Sequence, residues 1–296
     1  MSEILQWSTG LDDFKKHTLD GVTFTTTLTE SEFDSDRNID DIFYDHLANR
    51  NSTVELLYSG GLDSEIVLAS CLRNKIPVEA MTMVIKIRGA IANVVDLYYS
   101  EKFCRENNVK QNMFYLDATE FYESGRYLEY IEPFKINEPH VASHFWLIEQ
   151  CQNYPVIGGD WPWVQVHKKP RVLSPFKLSF SSYERFMASK NITGIGNMIS
   201  HSFESCMYFM KKHIEEYENG TDTFHTVPFM KHKMYGLDEP RIKSYGWEQT
   251  PAELFNINKY RIDLLRLLGT PESHITWGDK VSNLIGSSVQ TNSSFR

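Results

Sequence analysis

Between residues 54 and 160 the chain alternates short apolar runs with stretches of helical spacing. Val54 to Tyr58 reads as a strand and Ile66 to Leu72 as an apolar helix. Val78 to Ile85 is a second strand. Val94 to Glu106 is a second helix, with Leu97, Tyr98 and Phe103 on its apolar side. Asn112 to Leu116 is a third strand, Val141 to Cys151 a helix carrying Phe145, Leu147 and Ile148, and Val156-Ile157 a fourth strand. Strands that alternate with helices predict an α/β fold, a doubly wound parallel sheet covered on both faces. In such sheets ligands bind beyond the carboxyl ends of the strands. Two glycine-rich turns, Gly60-Gly61 and Gly158-Gly159, fall at those ends.

The flanks read differently. Val22, Phe24, Thr26 and Leu28 alternate with threonines, which suits a strand. Ile39, Ile42, Phe43 and Leu47 then recur at helical spacing behind acidic residues. After Pro175 the pattern is mostly helical, with one helix marked by Phe203, Met207, Met210 and Ile214 and another by Tyr260, Leu264, Leu265, Leu267 and Leu268. Three units follow: an appendage over 1–50, an α/β core over 51–175, and a helical part over 176–296 that completes the site. The last residues, from Gly286, are polar and expected to fray.

Composition narrows the field. No stretch approaches the roughly 18 apolar residues of a membrane span, and the first residues lack a basic region followed by an apolar one, so a cytoplasmic location is the default expectation. A net charge of -9 argues against broad attraction to nucleic acid or anionic lipid. The basic clusters His167 to Arg171 and Lys231-His232-Lys233 fit solvated loops or a phosphate-bearing substrate. Cys71, Cys104, Cys151 and Cys206 lie far apart without a Cys-x-x-Cys pair and read as reduced and mostly buried.

The chemistry concentrates in Ser59-Gly60-Gly61-Leu62-Asp63-Ser64, which joins Leu56-Leu57-Tyr58 to a helix. The glycines permit backbone angles that a Cβ resists. Their amides can turn inward as an anion-binding nest, backed by a helix N-terminus. Ser59 and Ser64 can offer hydroxyls to phosphate oxygens. Asp63 is informative because a carboxylate beside phosphates is unfavourable unless a cation lies between them, and Mg²⁺ fills that place. The loop lacks both the Gly-Lys-Ser/Thr of a Walker A loop and the Gly-x-Gly spacing of a dinucleotide fingerprint.

Ser59 to Ser64 resembles the PP-loop of the N-type ATP pyrophosphatases, whose fold is of the adenine nucleotide alpha hydrolase type. The family includes asparagine, GMP, NAD and argininosuccinate synthetases and tRNA-modifying lysidine and thiouridine enzymes. It adenylates a carboxylate or carbonyl oxygen, releases pyrophosphate, and lets a nitrogen or sulfur nucleophile displace AMP. Three further segments resemble the asparagine synthetase and β-lactam synthetase branch: Asn137-Glu138-Pro139, Val156 to Asp160, and Lys231 to Tyr235 followed by Pro240-Arg241-Ile242-Lys243 and Gly246-Trp247-Glu248.

The resemblance implies ATP and Mg²⁺ as cofactors. It places the nucleotide at Leu57, Ser59, Gly60, Gly61, Asp63, Ser64, Val84, Gly158, Gly159 and Asp160, with Asp63 and Asp160 on the metal. Lys231, with Lys233 and Lys243 as alternatives, would stabilise charge during adenylation. The glutaminase domain of asparagine synthetase has no counterpart in this sequence, which has Ser2 after Met1, so the implied nucleophile is free ammonia, an amine, or a partner's ammonia. The second glycine turn also lacks the glutamate found there in asparagine synthetase, which leaves the activated substrate open. Two other readings keep the loop: a PP-loop enzyme that modifies tRNA or a nucleotide, and a non-catalytic nucleotide-binding assembly protein.

Outside the loop, His140 and His144 sit at i and i+4 on one helical face, where substrate contact or packing is favoured over zinc. Trp161 and Trp163 could wall a pocket or pin the C-terminal part to the sheet, and Arg88-Gly89 could approach the nucleotide or lie in an exposed loop. Phe121-Tyr122 reads as core.

Overall fold

The computed structural model describes residues 17–19, 22–24, 37–48, 50, 52–134, 136, 139–159, 163–166, 169–172, 179–199, 201–202, 204–205, 208–209, 212 and 235–237. Two short strands, β1 (His17–Leu19) and β2 (Val22–Phe24), pair antiparallel. Helix α1 (Ile39–Leu47) is capped by Asn38, whose side chain accepts the Asp40 N–H. Then come β3 (Val54–Leu57), α2 (Leu62–Arg73), β4 (Val78–Ile87), β5 (Ala90–Ile91), α3 (Val94–Glu106) and β6 (Gln111–Asp117). Two short helices, α4 (Ala118–Glu123) and α5 (Leu128–Ile131), precede α6 (Val141–Ile148), β7 (Tyr154–Ile157), the hairpin β8 (Trp163–Val166) and β9 (Lys169–Val172), and α7 (Ser179–Ser189).

The central sheet runs β6–β4–β3–β7, all parallel, with β5 antiparallel to the end of β4. In chain order these strands are third, second, first and fourth. The winding therefore reverses between β3 and β7, and a crevice opens at the carboxyl ends of that pair. One face is covered by α1 and α2, where Ile42, Phe43, Ile66 and Leu68 pack on Leu56 and Val156. The other is covered by α4 to α7, where Phe121, Ile131, Phe145 and Phe186 meet Leu57, Met83, Ile85 and Ile157. Because both faces are covered, β3 and β7 are buried throughout, and so their sequences are apolar runs rather than alternations. The structure is thus the doubly wound α/β fold that the sequence predicts.

The outer edge of β7 is not bare. Ile195 N–H donates to Pro155 O, Ile157 N–H to Ile195 O, and Met198 N–H to Ile157 O, so residues 195–199 run beside the strand. A paired edge gives no template for strand addition. At the other end of the strand, Glu55 ties β3 to the turn before β7. Its buried carboxylate accepts the backbone N–H groups of Gln152 (2.7 Å) and Asn153 (2.6 Å) and the Asn153 side-chain amide (3.2 Å). Glu55→Ala is expected to lower unfolding free energy by about 2–3 kcal/mol, since three hydrogen bonds to a charged acceptor are lost. Urea denaturation checks this.

Helix α1 is joined to the segment after β7 by Arg37, which pairs with both Asp45 (2.6 Å) and Glu204 (2.9 Å), and by the His46 and His201 rings, 4.8 Å apart and edge to face. Burial, then His46 and Arg50, pushes His201 down to about 4. Burial also lowers His46 against the opposing pull of Asp45 and Glu204. The unfolded chain therefore binds more protons than the folded one between about pH 4 and 6.5. This contribution is complete above pH 6.5 and is lost as pH falls toward 4. Stability is expected to drop across that window, and His201→Gln to flatten the slope, as read by urea midpoints at a series of pH values.

Several sequence expectations need correcting. Tyr98 does not lie on the apolar side of α3. It is 62% exposed, and Leu97, Ser100 and Cys104 face the core. Strand β4 continues past Ile85 to Ile87 and turns at Arg88-Gly89, both at positive φ, into β5. Paired positive φ values mark the primed turns whose twist suits a hairpin. The part after Pro175 gives β7 an edge partner at Ile195, held by one β-bridge and followed by bends over 196–199, and contributes α7. Phe121 and Tyr122 are buried, as expected, though on a helix, α4, that no strong periodicity announces. Cys71 and Cys104 are free and buried and Cys151 is partly so, and burial pushes all three thiols up to about 12. Cys206, and the helices expected around Met207 to Ile214 and Tyr260 to Leu268, lie wholly or largely outside the described residues.

Candidate functional site

The site forms where β3 ends. Tyr58 completes the strand: its N–H donates to Met81 O, and its carbonyl accepts the Thr82 hydroxyl at 3.0 Å. Its ring reaches forward to α2, where the hydroxyl donates to buried Glu65 at 2.7 Å. Strand and helix are thereby locked at a fixed angle on either side of the loop. Beyond the end of β3, the free edge of β4 is taken over by Asn93, whose side chain accepts the Ile85 N–H (2.9 Å) and donates to Met83 O (2.8 Å). That anchor brings the first turn of α3 down onto the loop.

Close approach explains the glycines. Gly60 has φ of +84°, and a Cβ there would lie 2.2 Å from Asp96 O and 2.9 Å from Ser100 N. Gly158, at the end of β7, would place a Cβ 2.7 Å from Ser64 Cα and 3.0 Å from Asp63 O. The two glycine turns therefore touch, and the chain after β7 rests directly on the first turn of α2. Gly159 has φ of +93°, and its missing Cβ leaves room for the buried side chain of Asn197.

The start of α2 leaves donors unused by the described residues. Gly61 is its N-cap and supplies no side-chain cap. The Leu62 and Ser64 N–H groups have no partner among the described residues, while Gly61 N–H donates to Ser59 Oγ at 3.2 Å. Ser59 is exposed and keeps its own hydroxyl proton for a ligand. Ser64 Oγ donates back to Gly61 O at 3.0 Å, so its hydroxyl must turn to serve a phosphate. Asp63 lies partly exposed on this turn, and Tyr235 donates its hydroxyl to Asp63 Oδ1. Orphan N–H groups and a positive helix end favour an anion, and a carboxylate among them favours a cation bridging to it.

Of the sequence candidates, the fold brings together Ser59, Gly60, Gly61, Asp63, Ser64, Gly158 and Gly159. Leu57 ends β3 on the α4–α7 face and lies under the loop rather than in it. Val84 is buried two residues past Thr82 on β4, and so faces the same side as that threonine. Asp160, Lys231, Lys233, Lys243, Glu138, Trp161 and the side chain of Trp163 lie outside the described residues. Arg88 is exposed in its hairpin turn. His140 and His144 have ring centroids 5.7 Å apart, and His144 Nδ1 shares a 2.5 Å hydrogen bond with the Tyr183 hydroxyl. Among the described residues no group of three or more His, Cys, Asp or Glu is placed to hold a metal ion, and no helix is long and apolar enough to cross a membrane.

Asn197 and Tyr235 were not singled out by the sequence. Gly194-Ile195-Gly196-Asn197 does carry a signal, since closely spaced glycines beside an asparagine mark a tight backbone path. A separate groove of about 530 Å³ opens at the amino edge of the sheet between Arg50, Ser52, Asn153 and Thr193. It lies at the far end of the strands from the glycine turns.

No protein-family model matches the chain, and no curated protein matches it. Solved structures overlap it in part. They include a predicted tRNA methyltransferase subunit from Methanocaldococcus jannaschii, 17% identical with a TM-score of 0.32 over 54% of this chain and 74% of that one. The U34-tRNA thiolase NcsA of Methanococcus maripaludis overlaps at 12% identity and TM-score 0.36, over 83% and 78% of the two chains. The NH3-dependent NAD synthetase of Campylobacter jejuni does so at 15% and 0.24, over 86% and 82%. Overlap at this level extends to neither site nor reaction.

Proposed function

We propose that the protein is a PP-loop enzyme that binds ATP at the junction of β3 and β7 and activates a carboxylate or carbonyl oxygen as its adenylate. The observation that carries this reading is the contact of two glycine turns at the reversal point of the sheet, with Asp63 on the first turn of the helix between them. The N–H groups of Leu62 and Ser64 and the Ser59 hydroxyl are the donors that would serve the departing pyrophosphate. Residues 176–296 complete the site, a role supported by Asn197 and Tyr235 reaching the two turns.

Mg²⁺ suits this donor set, since carboxylate oxygens are hard ligands. Asp63 and Asp160 would hold it, and when bound it neutralises charge between the phosphates. Asp160 follows Gly159 directly. A lysine is needed to stabilise charge at the reacting phosphorus. Lys231 is the first candidate for this role, with Lys233 and Lys243 as alternatives.

The reaction follows from these parts. The substrate oxygen attacks the α-phosphorus, and the bond to the bridging oxygen of pyrophosphate breaks. Ammonia or an amine then attacks the activated carbon, loses a proton, and AMP departs. An AMP-forming amide ligase on a small-molecule acid is therefore the reading preferred over tRNA modification, because a chain of net charge -9 attracts a polyanion poorly. Release of pyrophosphate and AMP from ATP, screened against amino and keto acids with ammonium, tests it. Absence of Mg·ATP binding at millimolar concentration sinks it. Stimulation by bulk tRNA, but by no small acid, would move the assignment to nucleic-acid modification.

A further inference from the structure

We propose that Tyr235 is the positioning residue of Asp63, fixing the carboxylate in the orientation that receives the divalent cation of bound ATP. The inference rests on the ATP reading above. Asp63 sits on the first turn of α2, and its carboxylate torsion is intrinsically broad. A donor on one oxygen selects one orientation, and Tyr235 supplies it by donating its hydroxyl to Oδ1.

The donor is itself held. Tyr235 is 5% exposed, and its ring packs edge-on against Phe209 with centroids 5.4 Å apart. Phe209 packs in turn on Phe43 of α1 at 6.3 Å, and both phenylalanines are fully buried. The hydroxyl thus reaches Asp63 from a row of packed rings, and a tyrosine has only two torsions left to fix.

The choice of donor matters. A lysine or arginine in this place would pair with Asp63 and cancel the charge that a cation needs. A phenol donates a hydrogen bond and leaves the full negative charge on the carboxylate. Carboxylates that bind metals are themselves hydrogen-bonded, and loss of such a partner costs about 10–100-fold in metal affinity. The contact spans 172 residues, so the same bond registers the C-terminal segment over the loop.

The test is Tyr235→Phe, which keeps the ring and its contact with Phe209. MgCl₂ is titrated into protein with a fixed concentration of ATP and followed by calorimetry. The half-saturating Mg²⁺ concentration is expected to rise about 10–100-fold, while ATP binding in EDTA stays at the wild-type value and the thermal midpoint falls by only a few degrees. In an Asp63→Asn background the same substitution should leave the Mg²⁺ response unchanged. An unaltered half-saturation point in Tyr235→Phe overturns the proposal. A lowered one also overturns it, by making the hydroxyl a competitor of the cation. So does a Tyr235→Phe chain that no longer folds by circular dichroism, which would make the hydroxyl a structural support. Wild-type protein that binds ATP without any Mg²⁺ dependence removes this role alone, whereas wild-type protein that binds no ATP removes the ATP reading as well.

Discussion

Asp63→Asn is expected to reduce pyrophosphate release from ATP by about 1,000-fold or more, with the fold intact. Asparagine is isosteric and still offers an oxygen to the Tyr235 hydroxyl, so the contact that spans the site survives. What is lost is the negative charge that, on the proposed function, would pair with a cation beside the phosphates. Several kcal/mol of charge stabilisation disappear from the reacting state, and each 1.4 kcal/mol is a factor of ten. Stability should change little, because Asp63 is partly exposed at a helix start. Paired measurements of steady-state pyrophosphate release and urea midpoint separate the two effects. Wild-type turnover in the variant would show that the carboxylate does not serve the chemistry.

Gly60→Ala is expected to destabilise the protein by about 2–6 kcal/mol. Two costs combine. A φ of +84° is strained for any residue with a Cβ, at about 1–3 kcal/mol. The added methyl would also lie 2.2 Å from Asp96 O, so α3 must move away from the loop. Forced overpacking costs about 1–3 kcal/mol more. Asn93 resists that movement, since its side chain pins the start of α3 to β4 through two hydrogen bonds. Gly61→Ala is the control. Gly61 has φ of -78° and would meet only the Ser59 hydroxyl, at 3.2 Å. Its stability should therefore stay close to wild type. A Gly60→Ala midpoint within error of wild type would mean that the loop relaxes freely.

The parallel core was legible because its strands are buried on both faces and its helices are short and apolar. Val94 to Glu106 was read to the residue. The errors share a cause: a pattern of residues does not say which neighbours arrive from elsewhere. Tyr98 follows helical spacing, yet the face it occupies is open. The length of β4 depends on a hairpin partner set by the backbone at Arg88-Gly89. Nothing local at Gly194 to Ile199 shows that this stretch pairs with β7, because its partners lie some forty residues earlier. Within the site, the glycine turns were visible because they need special backbone angles and close approach. Asn197 and Tyr235 were not, since a buried asparagine and a buried tyrosine look like any others until the fold brings Gly159 and Asp63 to them.

The bond from Tyr235 to Asp63 also sets a clock on synthesis. The glycine loop leaves the ribosome with its strand and helix, but the hydroxyl that completes it is made 172 residues later. At about 5–20 residues per second that delay is roughly 9–34 s. Until then the Asp63 carboxylate lacks the donor that Tyr235 supplies. On the function proposed above, a nascent chain could not orient this carboxylate toward a cation before the C-terminal segment arrives.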